Sequence, residues 1–162
     1  MPKIRKILVP TDFSESSQAA LQQAAELARA LGASLELLHV WELPVFLPGE
    51  LIVSDSGGQG TLVDLVREQA NQRLAALVAS AELEGIHFSA VSCALGIPHA
   101  AIVDLATAGQ HDLIVVGSHG RTGLKRVLLG SVAERVVRHA PCTVVVARQP
   151  RSAPPSSNRS AT

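Results

Sequence analysis

The sequence predicts an α/β fold, a parallel sheet with helices on both faces. Three observations predict it. Short apolar runs alternate with longer stretches of helical periodicity from residue 4 to residue 147. The apolar runs are continuous rather than polar-alternating, as strands covered on both faces require. Punctuating residues stand at element ends: Gly32 and Gly85 after the first two helical stretches, and Pro98 at the start of the third.

Taken in order, residues 4–10 read as a buried strand. Residues 14–31 place Ala20, Ala24, Leu27 and Leu31 on one helical face, stopped by Gly32. Residues 34–41 form the second strand. A long helix over 61–83 carries Leu62, Val66, Ala70, Leu74, Leu77 and Ala81 along one stripe, with Gly85 after it. Residues 86–94 form the third strand, and Pro98 opens a short helix to about residue 108. Residues 111–117, 131–139 and 143–147 complete the pattern as fourth strand, fourth helix and fifth strand. No internal repeat is present, so residues 1–148 read as one domain. Residues 149–162, rich in Pro, Ser and Arg, read as a disordered tail. The connection over 42–60 is long, and it joins Pro44, Val45, Phe46, Leu47 and Pro48 to a Gly-rich stretch. Such a loop is functional or disordered, and its apolar half would close over a ligand or pack on a second subunit.

A chain of 162 residues with 47% hydrophobic content suits one domain with a real core. Its 14 Lys and Arg balance 14 Asp and Glu, which argues against a nucleic-acid or anionic-membrane surface. With three Phe, one Trp and no Tyr, base-stacking platforms are absent and the core rests on aliphatic residues. No apolar run approaches a bilayer span, and residues 1–6 are too short and charged to open a signal peptide. Cys93 and Cys142 lie in apolar runs without metal spacing and read as small buried hydrophobes. The expected compartment is the cytoplasm, with no membrane association. The histidines at 39, 87, 99, 111 and 139 show no metal spacing, and no Ser-His-Asp or Cys-His arrangement can be read.

The chemistry concentrates in Gly117-Ser118-His119-Gly120, which follows the fourth strand, and in Gly130-Ser131, which opens the next helix nine residues later. Glycines at a strand end let backbone N–H groups approach a phosphate with no Cβ in the way. A serine at the start of a helix adds a hydroxyl where free N–H donors and the positive end of the dipole already favour an anion. Together these are the elements of a nucleotide phosphate cradle. Other glycine-rich readings fail. The phosphate-binding P-loop string is absent, and Pro10-Thr11-Asp12-Phe13 stands where a dinucleotide fingerprint would begin. The stretch Ser56-Gly57-Gly58-Gln59-Gly60-Thr61 resembles an adenylating-enzyme loop only faintly, lacking its Asp and following the second strand.

The spacing Gly-two-Gly-nine-Gly-Ser resembles the signature of the ATP-binding branch of the universal stress proteins. The resemblance includes Ile7-Leu8-Val9-Pro10-Thr11-Asp12-Phe13-Ser14, Gly96-Ile97-Pro98 and Ala140-Pro141-Cys142-Thr143-Val144-Val145-Val146, covering residues 3–148. It implies a five-stranded parallel sheet in the order 3-2-1-4-5, with the crevice between the first and fourth strands, where the order reverses. It further implies ATP as ligand, with Mg²⁺ or Mn²⁺ at the phosphates. Pro10, Thr11 and Asp12 would border the site, Asp12 holding ribose or the metal, and Val40 would pack on adenine. Val116, Gly117, His119 and Gly120 would contact ribose and phosphates, and Gly130, Ser131 and Val132 would hold the outer phosphates. A homodimer through Thr143, Val144, Val145 and Val146 is implied as well, in line with the exposure an apolar edge strand would have.

Plainer readings stand beside these. Asp12 is also a turn residue before a helix, Val40 a core strand residue, Ser131 an N-cap and His119 a surface turn residue. Arg121, Lys125 and Arg126 would screen phosphate or simply be solvated. The leading functional expectation is a cytoplasmic stress-response protein in which ATP is a regulatory ligand read by a protein partner. The rivals are a slow ATPase and a nucleotide-independent, chaperone-like dimer.

Overall fold

The computed structural model describes residues 3–43, 48, 51–55, 58–80, 83–119 and 129–148. The elements are β1 Lys6–Thr11, α1 Glu15–Leu31, β2 Ser34–Trp41, β3 Ile52–Asp55, β4 Gly58–Thr61, α2 Leu62–Val78, β5 Phe88–Leu95, α3 Pro98–Ala108, β6 Leu113–Gly117, α4 Ser131–His139 and β7 Thr143–Ala147. Five strands make one parallel sheet in the order β5-β2-β1-β6-β7. Numbered among themselves in chain order, these five run 3-2-1-4-5.

The continuous apolar strands divide their side chains between two cores. Ile7 and Val9 of β1 join Leu35 and Leu37 of β2, the alanine face of α1 and Leu74 of α2. Leu8, one residue out of phase, turns the other way to meet Leu38, Val40, Ile114, Ile102 of α3 and Val136 of α4. A period of two thus sends neighbouring residues into opposite layers, which is why the strands show no polar alternation. Gly32 closes α1 at φ 65, a left-handed cap that spares a side chain the clash with the following carbonyl.

Two elements depart from the sequence reading. The connection over 42–60 contains a two-stranded antiparallel hairpin, in which Ile52 pairs with Thr61 and Asp55 with Gly58. The long second helix stops at Val78 rather than at 83. The Ala79 N–H closes on the carbonyls of Ala75 and Leu77, and the Leu83 N–H on that of Ser80, so the chain turns before Gly85 is reached. The apolar residues Pro44, Val45, Phe46 and Leu47, Ala81 of the expected stripe, and residues 149–162 lie outside the described residues. No helix among the described residues is long and apolar enough to cross a membrane.

One feature of β1 positions the site. Its ladder with β2 continues to Thr11 opposite His39, but its ladder with β6 ends at Leu8 opposite Ile114. The Lys6 carbonyl accepts the Asp112 N–H on the β6 side, so by strand alternation Leu8 and residue 10 face β6 as well. Residue 10 is Pro10, with no N–H to donate. The ladder between the two central strands therefore stops short of the carboxyl end of the sheet.

Candidate functional site

A cleft of about 450 Å³ lies beyond the point where the β1–β6 ladder stops. Its lining includes Pro10, Thr11, Asp12, Val40, Val116, Gly117, His119, Gly130, Ser131 and Val132, so segments distant in sequence converge on one crevice. Gly120, Arg121, Lys125 and Arg126 lie outside the described residues.

The first wall is the turn from β1 into α1. Ser14 caps the helix, its Oγ accepting the Ser17 N–H at 3.2 Å. The same hydroxyl donates to Asp12 Oδ1 at 2.5 Å, and the Ser14 N–H donates to that oxygen at 3.0 Å. Asp12 is thereby oriented by the helix start as well as being a turn residue. Behind it, Thr11 Oγ1 accepts the Phe13 N–H and lies 3.1 Å from Ser17 Oγ. Phe13 adopts φ 64, a left-handed conformation uncommon for a bulky side chain. Its ring lies against His39 with centroids 4.5 Å apart, and the Arg73 guanidinium sits 4.0 Å from its centroid. His39 Nδ1 lies 2.7 Å from the Thr11 carbonyl oxygen, which only accepts, so Nδ1 carries the proton.

The second wall is the end of β6. Gly117 runs against α1 so closely that an added Cβ would meet Ser16 Oγ at 2.7 Å. The Ser118 N–H donates to the Ala147 carbonyl at 2.9 Å, and the His119 N–H donates to Ser16 Oγ at 3.2 Å. The His119 ring is tied through Nδ1 to Ser118 Oγ at 2.9 Å, while its buried Nε2 has no hydrogen-bond partner among the described residues.

The third wall is the start of α4. Its N-cap is Gly130, not Ser131, and no side chain caps the helix. The Gly130 N–H donates to the Ser118 carbonyl at 2.8 Å, tying this helix start to the β6 turn. A glycine has no side-chain acceptor, so among the described residues the amides of Ser131, Val132 and Ala133 meet no acceptor, at the positive end of the dipole. The fourth wall is apolar, formed by Val40, Val116, Val132 and Ile102 beside Pro98. Val40 is only 7% exposed, so it serves the core and the cleft together.

Five lining residues escape the sequence reading: Ser17, Glu42, Pro98, Ile102 and Ala133. Glu42 adds a second carboxylate to the crevice beside Asp12. It stands two residues beyond Val40, on the same face of the chain leaving β2. Ser16 was also unread, and its hydroxyl and backbone shape the Gly117 turn. Among the described residues, no three His, Cys, Asp or Glu side chains gather to hold a metal ion. Cys93 and Cys142 are free and half-buried, not fully buried as expected, because β5 and β7 are the sheet edges. Burial pushes both thiols above their ordinary range, which leaves them poor nucleophiles.

The universal stress protein family profile matches residues 3–148. Universal stress protein MJ0531 of Methanocaldococcus jannaschii is 35% identical over 149 residues, covering 91% of this chain and 84% of that protein. The solved structure of MJ0577 from the same organism has a TM-score of 0.73 at 30% identity, covering 93% of this chain and 100% of that one. Two solved universal stress proteins share the fold at lower identity. One, in complex with cAMP, has a TM-score of 0.56 at 24% identity and covers 92% of this chain and 100% of its own. The other, from Archaeoglobus fulgidus in complex with dAMP, has a TM-score of 0.60 at 23% identity and covers 90% and 99%. With the profile spanning every strand and helix from β1 to β7, this chain belongs to the universal stress protein family.

Proposed function

We propose that this protein is a dimeric, cytoplasmic stress-response regulator whose ligand is ATP, bound with Mg²⁺ or Mn²⁺ in the cleft between β1 and β6. The observation that carries the reading is the start of α4. A glycine-capped helix without a side-chain acceptor faces the cleft beside Gly117 and His119, a donor-rich and Cβ-poor corner suited to phosphate. The apolar wall at Val40 and Ile102 suits a purine face, and Asp12, held by Ser14, is placed to accept from ribose hydroxyls or to meet a cation. Two carboxylates, Asp12 and Glu42, line the same cleft, so a polyphosphate is favoured when a divalent cation offsets its charge. That cation would be held by the phosphates with Asp12, since the described side chains form no metal cluster of their own. Universal stress proteins solved with cAMP and dAMP are adenine-nucleotide complexes of this fold, which agrees with the reading.

The regulatory mechanism follows from the same parts. The ligand joins the β1–α1 turn to the start of α4, and an unidentified partner protein reads the resulting surface. Residues 1–148 act as one unit, with 149–162 as a tail. The homodimer forms through Thr143, Val144, Val145 and Val146, because β7 ends one side of the sheet and offers an apolar edge. Sedimentation at micromolar protein tests this, and a monomer there counts against it. Calorimetric titration of nucleotide-stripped protein with MgATP, AMP and cAMP tests the ligand. Micromolar MgATP binding, tighter than AMP, is expected; no binding to any of them would leave the fold as a nucleotide-independent scaffold.

Glu42 gives a second reading some footing, since hydrolysis needs a base or a positioned water near the phosphates. Asp12 is engaged by Ser14, so Glu42 is the freer candidate for that work. Phosphate release that vanishes in Glu42→Gln while MgATP still binds would favour a slow ATPase over a regulatory ligand.

A further inference from the structure

We propose that Arg73 of α2 is a positioning residue for the nucleotide: through its contact with the Phe13 ring it holds the turn that presents Asp12 to the cleft. The proposal rests on the nucleotide reading, but Arg73 itself stands outside the cleft lining. Its starting point is backbone strain. Phe13 follows Asp12 directly and sits at φ 64, where a bulky side chain crowds its own backbone. Such a conformation persists only where its neighbours hold it.

Three contacts hold this one. The Phe13 N–H donates to Thr11 Oγ1 at 3.1 Å, the ring meets that of His39 with centroids 4.5 Å apart, and the Arg73 guanidinium carbon lies 4.0 Å from the ring centroid. Thr11 and His39 belong to the sheet, so of the three only Arg73 reaches the turn from a covering helix. Its base is firm, because Leu74, the next residue, is buried in the core. Its charge is also uncommitted among the described residues. The side chains one helical turn away are Gln69, Ala70, Ala76 and Leu77, none of them acidic. Arg67 and Arg138, by contrast, pair with Asp64 and Glu134 on their own helices.

The link to the ligand is the backbone. Relaxing Phe13 away from φ 64 swings the peptide that joins it to Ser14, and Ser14 supplies two donors to Asp12 Oδ1. A relaxed turn loses the oriented carboxylate, and affinity falls with the share of protein whose turn is still competent.

The test is calorimetric titration of wild type, Arg73→Met and Arg73→Lys with MgATP, beside hydrogen exchange of the Phe13 and Ser14 amides in the nucleotide-free proteins. Met keeps the stem and loses the cation. Expected for Arg73→Met is a two- to fivefold loss of affinity, about what one such contact supplies, with faster exchange at both amides. The denaturation midpoint should move little, since the residue is exposed. Arg73→Lys keeps a cation and should lie nearer wild type in both readouts. Phe13→Gly adopts the left-handed turn freely, so in that background Arg73→Met should cost nothing further. Affinity and exchange both unchanged in Arg73→Met, or a loss that persists in full beside Phe13→Gly, overturns the proposal while leaving the nucleotide reading in place. If wild type binds no MgATP, the nucleotide reading falls and this proposal with it. Should Phe13→Gly fail to fold, Phe13→Asn carries the same comparison, because Asn also tolerates that conformation.

Discussion

A Cβ added to Gly117 would stand 2.7 Å from the hydroxyl oxygen of Ser16 and 2.8 Å from its carbonyl carbon and oxygen. A hydroxyl can rotate aside; the first turn of α1 cannot without moving the helix. Gly117→Ala is therefore expected to destabilise the fold by about 1–3 kcal/mol, the usual range for forcing extra volume into a packed contact. It should also weaken nucleotide binding, because the same displacement moves the His119 turn away from Ser14 and Asp12. Urea denaturation and titration with MgATP check both parts. An unchanged denaturation midpoint would show that α1 gives way freely.

Asp12 separates a hydrogen-bonding role from a charge role. Its Oδ1 accepts from both the N–H and the hydroxyl of Ser14. Asp12→Asn keeps an oxygen there and should stay within about 0.5 kcal/mol of wild type, whereas Asp12→Ala should cost about 1–3 kcal/mol by stranding both donors. The charge should matter to the ligand. In Asp12→Asn the gain in ATP affinity on adding Mg²⁺ is expected to shrink, as measured by titration with and without the metal. Equal loss of stability in the two variants would mean that the negative charge, not the acceptor, holds the α1 start.

At the opposite end of the sheet, Asp112 ties β1 to β6. Its Oδ2 accepts the backbone N–H groups of Arg5 at 2.8 Å and Lys6 at 3.0 Å. The Arg5 and Lys6 donors, in that order, hold the Asp112 carboxyl below its ordinary value of 3.8. A group that binds its proton less tightly in the folded chain than in the unfolded one contributes stability above the unfolded value. That contribution is lost as pH falls through the folded value. Asp112→Ala should therefore be less stable than wild type at neutral pH, with the gap closing on acidification below about pH 4. Denaturant midpoints across that range check it, and a gap that stays constant with pH would contradict the assignment.

The sheet was legible because strands buried on both faces leave unbroken apolar runs, as at Ile7, Leu8 and Val9, whose side chains divide between the two cores. The hairpin was not. Gly58, Gln59, Gly60 and Thr61 offer no apolar side chain, and pairing with residues 52–55 through the backbone leaves no periodic signal. The cleft shows the same contrast. Asp12, Gly117 and Gly130 announce themselves through local chemistry: a turn before a helix, a glycine at a strand end and a Gly-Ser pair at a helix start, although the cap falls on Gly130 and not on Ser131 as read. Ser17, Glu42, Pro98, Ile102 and Ala133 reach the cleft only because of how the strands are ordered and the helices laid over them. Ser16 is the sharpest case, an ordinary first-turn serine until the fold sets it against Gly117.

Pro10 is the residue whose missing atom matters most. It faces β6 at the point where the ladder between β1 and β6 stops, although β2 continues beside Thr11 and β7 beside Gly117. Pro10→Ala restores an N–H directed at β6. If that missing donor is what keeps the strands apart, the new amide should pair across the gap, extend the ladder and narrow the cleft. The residue 10 amide should then be protected in hydrogen exchange, and global stability should hold or rise slightly. Affinity for MgATP should fall, because Asp12 and Gly117 would be drawn together at the mouth of the site. A residue 10 amide that exchanges freely, with MgATP affinity unchanged, would show that the strands part for another reason, such as the packing of Ser16 against Gly117.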